Sequence, residues 1–316
     1  MQKDFNTLDI TPKASLKTDS VVSHRTKYWN DLYEKFLSND ARKMKSSRIR
    51  AICYQAWPLL FNRVAAFFEH YLMRWLIEEY DISLNKKRVL DIGCGTGRWC
   101  EFFAQYGADP IGVDLFPKLL SDNKKHFPSV KFSSMSATSL AFKKNSIDFV
   151  NAAIVLEIIP NSEKMIAIAE IVRVLRPGGI VFILEPIASN GYQEGASSLL
   201  RSDEWKMILK NQGLIIITQR FLHVYPLAAA YQTLIQWIGN GIKRMKHMIR
   251  KKEHQSSGEQ RDSAHGTGVA RRHILYRALN QFLLKLIACL SFPLEFLLLG
   301  LGRNGSHQIY LAEKMR

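Results

Sequence analysis

The stretch VLDIGCGTG, Val89 to Gly97, decides how this chain folds. Val89, Leu90 and Ile92 form a short apolar run of the kind buried in a parallel sheet. Asp91 lies within that run, and three alternating glycines come after it: Gly93, Gly95 and Gly97. Glycine lets a backbone approach a ligand closely, because no Cβ stands in the turn. A second apolar run ends in GVDL, Gly112 to Leu115, which sets Asp114 nineteen positions after Gly95. A carboxylate about twenty residues beyond a glycine loop is placed to accept hydrogen bonds from ribose hydroxyls. The expected ligand is therefore an adenosine-containing cofactor at the C-terminal ends of parallel strands.

The glycine spacing narrows this expectation. A dinucleotide site reads GxGxxG and offers a helix N-terminus to a pyrophosphate. Here the pattern is GxGxG with Arg98 next, and Asp91 stands two residues before the first glycine. An acid at that point suits a cationic ligand better than a diphosphate. The pattern resembles the first motif of class I S-adenosylmethionine (SAM)-dependent methyltransferases, whose cofactor carries a sulfonium and an α-ammonium.

The resemblance runs on to about Gly213. SVKFSSMSATSLAF (Ser129 to Phe142) looks like the third strand and the adenine-flanking segment. NSIDFVNAAIVLEIIP (Asn145 to Pro160) looks like the fourth strand and the start of the next helix. In LRPGGIVFILEP (Leu175 to Pro186), Pro177 is expected to end a helix and Gly178-Gly179 to turn into a fifth strand. SDEWKMILKNQGLIIITQR (Ser202 to Arg220) reads as a helix with Ser202 at its N-cap, then a sixth strand. The implied fold is α/β: a Rossmann-like, doubly wound, seven-stranded sheet, mostly parallel. Its last strand, HQIYLAEK at His307 to Lys314, is expected antiparallel.

Site roles come from the same resemblance. Asp91 and the loop Gly93, Cys94, Gly95 and Gly97 are implied to hold the methionine part of SAM. Asp114 takes the ribose hydroxyls, Leu115 packs on adenine, and Ser136 and Ala137 border the adenine edge. Ala153 and Ile154 line the path to the methyl group. The family usually has Asp where this chain has Ser136, and a hydroxyl is a weaker partner for the exocyclic amine. Cys94 reads as a small apolar filler rather than a nucleophile.

Methyl transfer from a sulfonium needs a base only if the acceptor must lose a proton. Of His126, His223, Glu185, Tyr192 and Tyr225, all near strand ends or the loops after them, Glu185 and His223 are the favoured catalytic candidates. No metal is expected: Cys53, Cys94, Cys100 and Cys289 show neither CxxC spacing nor a histidine arrangement. Such cysteine usage, with no apolar leader in MQKDFNTLDITPK, suggests a reducing, cytoplasmic setting.

Around the core (86–224) the chain is expected to carry a loose N-terminus (1–25) and a helical cap (26–85). A long insertion (225–303) precedes the last strand (304–316), with a polar, flexible stretch at 253–268. The net charge is +16, from 44 basic and 28 acidic residues, which favours an anionic partner. Within 241–303, basic clusters flank apolar helices interrupted by Lys285, Pro293 and Glu295, so a lid or an element lying on an anionic membrane surface is expected, not a span.

Nucleic acid is the less favoured partner. Asn151-Ala152-Ala153-Ile154 lacks the Asn/Asp-Pro-Pro-aromatic motif of base-amine methylation, no Pro-Cys pair exists, and stacking platforms among basic residues are missing. The core is similar to the small-molecule branch that includes ubiquinone and menaquinone biosynthesis methyltransferases. The reading is methyl transfer to an oxygen or carbon of a small apolar or lipid-like acceptor, with peripheral membrane attachment as an option. Its rivals are a tRNA or protein methyltransferase anchored by the basic insertion, and a non-catalytic binding subunit.

Overall fold

The alternating patterns of the core become alternating strands and helices in the computed structural model, which describes residues 59–187, 193–194, 197–222 and 307–315, together with Asp31. The chain divides into two compact units. One takes in Ile77–Gln219 and Gln308–Arg316; the other takes in Ala56–Leu76 and Arg220–His307.

In the second unit, most of helix α1 (Leu59–Glu79) is described. Ala65, Phe68, Leu72, Met73 and Leu76 are buried at helical spacing, with Asn62 and Glu69 on the same stripe. Phe67 and Tyr71 are exposed and stack on each other, 6.3 Å between ring centroids. The Arg220 guanidinium lies 5.3 Å from the Trp75 ring. Among the described residues no helix is long and apolar enough to cross a membrane. The insertion 225–303 lies outside them.

The first unit is built on a sheet. Its strands are β1 (Arg88–Ile92), β2 (Asp109–Asp114), β3 (Lys131–Ser134), β4 (Ile147–Ala153), β5 (Leu175–Pro186), β8 (Leu214–Leu222) and β9 (His307–Lys314). A separate hairpin pairs β6 (Gln193–Glu194) with β7 (Ser197–Ser198). The seven-stranded order is β3-β2-β1-β4-β5-β9-β8, parallel through β5, with the C-terminal strand antiparallel as expected.

Alternate side chains of each strand enter two different layers. Phe149 and Phe182 meet helix α2 (Arg98–Gln105), with Phe103 5.5 Å and Trp99 6.0 Å away between ring centroids. Val150, Ala152, Val181 and Ile183 meet Ala167, Ile168 and Ile171 of helix α4 (Asn161–Val174) and Leu209 of helix α5 (Ser202–Asn211). One layer is thus mostly aromatic and the other mostly aliphatic.

Register then aligns the strand ends. Ile183 pairs with Ala152, Ala152 with Ile92, Ile92 with Val113, and Val113 with Ser133. The loops that leave these five strand ends therefore emerge along one edge of the sheet. The chain steps outward from β1 to β3 and then returns to β4 on the other side of β1, and such a reversal opens a crevice at the strand ends.

Two local expectations are corrected. Helix α4 ends at Val174, and Leu175 already pairs with Ile147, so Pro177 does not end the helix. The next pair is Phe149 with Ile180, so β5 carries three more residues than β4 over this step. Arg176 to Gly179 form a bulge, where a proline without an N–H does no harm to the ladder. Arg176 reaches across to Asp148 at 2.6 Å. Ser202 is the first residue of α5 rather than its cap. The cap comes from Glu204, whose Oε2 accepts the Arg201 N–H at 2.7 Å, while the Ser202 hydroxyl accepts Gln219 Nε2 at 3.1 Å.

Candidate functional site

The glycine loop leaves β1 at the reversal point. Gly93, Gly95 and Gly97 have φ of 65°, 50° and 77°, a region that residues with a Cβ avoid. At Gly93 a Cβ would also stand 2.3 Å from Val155 Cγ2, so the loop after β4 packs directly against this glycine. The Cys94 N–H donates to the Val113 carbonyl at 3.0 Å, tying the loop to β2.

Gly95 is held on both sides. Its N–H donates to Asp114 Oδ2 at 2.9 Å, and its carbonyl accepts Asn123 Nδ2 at 2.7 Å. Asn123 lies fully buried on helix α3 (Pro117–His126). Sequence reading missed it; its one signal is an amide inside a helix, where such a side chain needs a local reason. Gly97 then precedes α2, and its carbonyl accepts the Glu101 N–H at 3.0 Å.

Two carboxylates lie at the loop's roots. Burial raises the Asp114 carboxyl above its ordinary range, and amides of Gly95, Leu115 and Phe116 pull it back. Asp91 is 1% exposed; Asn151 Nδ2 donates to its Oδ1 at 2.7 Å and the Cys100 thiol approaches Oδ2 at 3.4 Å. Asn151 stands directly opposite Asp91 in the β1–β4 register. Burial pushes Asp91 up to about 6, against the Asn151 and Cys100 bonds. Burial likewise pushes the Cys94 thiol up to about 11, which leaves it neutral and inert near pH 7.

Beyond β2, Leu115 is 50% exposed, an apolar side chain left for something to cover. The Ser136 hydroxyl accepts the Thr138 N–H at 3.2 Å and shares a 2.8 Å bond with the Thr138 hydroxyl, so it closes its own turn. Ala137 packs on the aliphatic core.

On the other side of β1, Ala153 ends β4 and Ile154 comes next with φ 56°. A β-branched residue in the left-handed region is an outlier. The Ile154 N–H donates to the Leu184 carbonyl at 2.7 Å. The next three amides all converge on Glu185: Val155 and Leu156 reach Oε1 at 3.1 and 2.8 Å, and Glu157 reaches Oε2 at 2.9 Å. Glu185 is fully buried, and burial together with the Glu157 carboxylate pushes it up to about 8, against its amide donors and Lys164.

The expected residues Asp91, Gly93 to Gly97, Asp114, Ala153, Ile154 and Glu185 thus gather along one edge of the sheet. His126, at the end of α3, is engaged with its own helix, Nδ1 lying 2.9 Å from the Asp122 carbonyl. His223, Tyr192 and Tyr225 lie outside the described residues.

A doubly wound sheet with a crowded glycine loop and a buried acid at the end of β2 has the architecture of a nucleotide-cofactor domain. The methyltransferase-domain family model matches residues 90–183. A demethylmenaquinone methyltransferase of Renibacterium salmoninarum is 35% identical over 114 residues, covering 35% of this chain and 47% of that protein. A ubiquinone biosynthesis O-methyltransferase of Dechloromonas aromatica is 37% identical over 107 residues, 32% of this chain and 45% of that protein. The chain therefore spans about half the length of these curated relatives. A crystal structure of a Galdieria sulphuraria protein assigned as a sarcosine dimethylglycine methyltransferase superposes with TM-score 0.52 at 15% identity, over 80% of this chain and 88% of that one.

Residues 90–183 match the methyltransferase-domain family, and the core resembles class I SAM-dependent methyltransferases of the quinone-biosynthesis branch. Its cofactor is S-adenosylmethionine. The residues fit that group: the left-handed glycines open a cradle that a Cβ would fill, Asp114 stands at the end of β2, and Leu115 is uncovered beside it.

Proposed function

We propose that this protein transfers a methyl group to an oxygen or carbon of a small apolar or lipid-like acceptor. The observation that carries the reading is the glycine loop. It holds three left-handed glycines at the reversal point of the sheet, with Gly93 wedged by Val155 and Gly95 tied to Asp114 and Asn123. SAM supplies a methyl already activated on a sulfonium, so the protein's task is mainly placement in a dry site. Asp114 accepts from the ribose hydroxyls, Leu115 covers the adenine, and Asp91 sets a negative charge beneath the cationic end. Ser136 and Ala137 border the adenine edge, and Ala153 and Ile154 face the methyl. The quinone methyltransferases among the relatives favour a lipid-like acceptor. The basic and apolar stretch 241–303 fits an anionic membrane surface where such an acceptor would reside.

Calorimetry with SAM tests the first half. Release of S-adenosylhomocysteine in the presence of reduced short-chain demethylmenaquinone, with and without anionic phosphatidylglycerol vesicles, tests the second. Absence of SAM binding at millimolar cofactor overturns the reading. Binding to tRNA in place of vesicles, weakening steeply with salt, would move the acceptor to nucleic acid.

A further inference from the structure

We propose that Glu185 is a positioning residue of the acceptor-side wall, holding the loop after β4 in the strained shape that sets Ile154 beside the methyl donor. The inference rests on the methyltransferase reading above and deepens it. Ile154 at φ 56° persists only where its surroundings over-determine it. Part of that constraint is the 2.7 Å bond from its own N–H to the Leu184 carbonyl. The rest is Glu185, on which the consecutive amides of Val155, Leu156 and Glu157 converge at 2.8 to 3.1 Å. Three successive N–H groups around one acceptor group make a concave nest, here filled by the chain's own carboxyl.

The nest has a counter-charge. Lys164 of α4 is 1% exposed, with its ammonium 5.8 Å from the Trp205 ring, and its charge acts on both Glu157 and Glu185. The loop so held is the one whose Val155 wedges against Gly93, so its position is transmitted to the cofactor loop at van der Waals range. A base acting directly on the acceptor would need an exposed oxygen. Glu185 is fully buried and gives both of its oxygens to the loop.

The test compares the full chain with Glu185→Gln and with Glu185→Gln combined with Ile154→Gly. Three readouts are used: amide hydrogen exchange at Val155 to Glu157, SAM affinity by calorimetry, and methyl transfer to reduced short-chain demethylmenaquinone. Glutamine keeps the shape but presents an NH2 in place of one of the two acceptor oxygens. Exchange at those amides should rise at least about tenfold, while SAM affinity stays within about threefold and KM for the quinol rises more than kcat falls. Adding Ile154→Gly should slow exchange again at Val155 and Leu156, whose acceptor the glutamine oxygen still supplies, because glycine takes φ 56° without help, while KM stays raised for want of the wall side chain.

Unchanged exchange in Glu185→Gln overturns the proposal. So does a fall of about a hundredfold or more in kcat at constant KM, the mark of a general base. If Glu185→Gln does not fold, the double variant decides: folding with slow exchange supports the proposal, and failure to fold removes it. Should the wild-type chain not bind SAM, the methyltransferase reading fails while the exchange measurement still judges the role of Glu185.

Discussion

Two loops flank β1, and each is held by a carboxylate from a neighbouring strand end. On one side Asp114 grips Gly95, inside a loop whose left-handed positions are all glycine. On the other Glu185 grips Val155, Leu156 and Glu157, behind an isoleucine at φ 56°. The first shape costs little, because glycine adopts it freely; the second costs about 1–3 kcal/mol and must be enforced. The loop after β1 is made of residues that accept the shape, whereas the loop after β4 contains a residue compelled into it.

The hardest blow to this contrast would come from Gly93→Ala. The new Cβ would meet Val155 Cγ2 at 2.3 Å in a left-handed conformation. A loss of about 3 kcal/mol in denaturant unfolding is expected, with SAM binding abolished. Val155→Ala in the same chain should return part of it, because the clash is with that side chain. Ordinary stability in Gly93→Ala would show that the two loops are not in contact. Asp114→Ala comes next: it removes the Gly95 partner and the proposed ribose acceptor, so SAM affinity should fall about 10- to 100-fold by calorimetry.

A smaller and graded effect concerns pH. Burial holds Asp91 at about 6, above the ordinary 3.8, and a cationic ligand favours its anion. SAM affinity should therefore fall as pH drops below about 6, by up to about tenfold per unit, and level off above about 7. The stability of the free protein runs the other way. A group whose folded pKa is raised contributes stability below about pH 4 that is lost as pH rises through about 6. Affinity independent of pH between 5 and 7 would take Asp91 out of ligand binding. Least of all should Lys131→Ala matter: its pair with Asp109 is 3.0 Å long but its side chain is 67% exposed, so less than about 0.5 kcal/mol is expected.

The strand ends, the seven strands of the sheet and the loop Gly93 to Gly97 were legible because apolar runs, glycines and acids have short-range signatures. Asp91 and Asp114 could be found for the same reason. Asn123 and Asn151 could not, since their partners lie 28 and 60 residues away and are brought near only by the packing of α3 and the register of β4. The hydrogen bonding of Glu185 was hidden in another way. A carboxylate at a strand end reads as a base, and only the three converging amides show where its oxygens are used. Pro177 misled because it sits in a bulge that opens inside β5, one residue after Leu175 has begun the ladder. Ser202 misled because Glu204 supplies the cap that a serine ordinarily gives.

The Gly95 clasp has one more consequence. The peptide planes on either side of its Cα are locked independently, one through its N–H to β2 and the other through its carbonyl to α3. Neither plane can swing without breaking a bond to a buried side chain, so the dipoles of this turn already point in fixed directions before any ligand arrives. Association then has little loop entropy to overcome, and a cofactor entering the crevice meets a preorganised surface rather than one it must freeze.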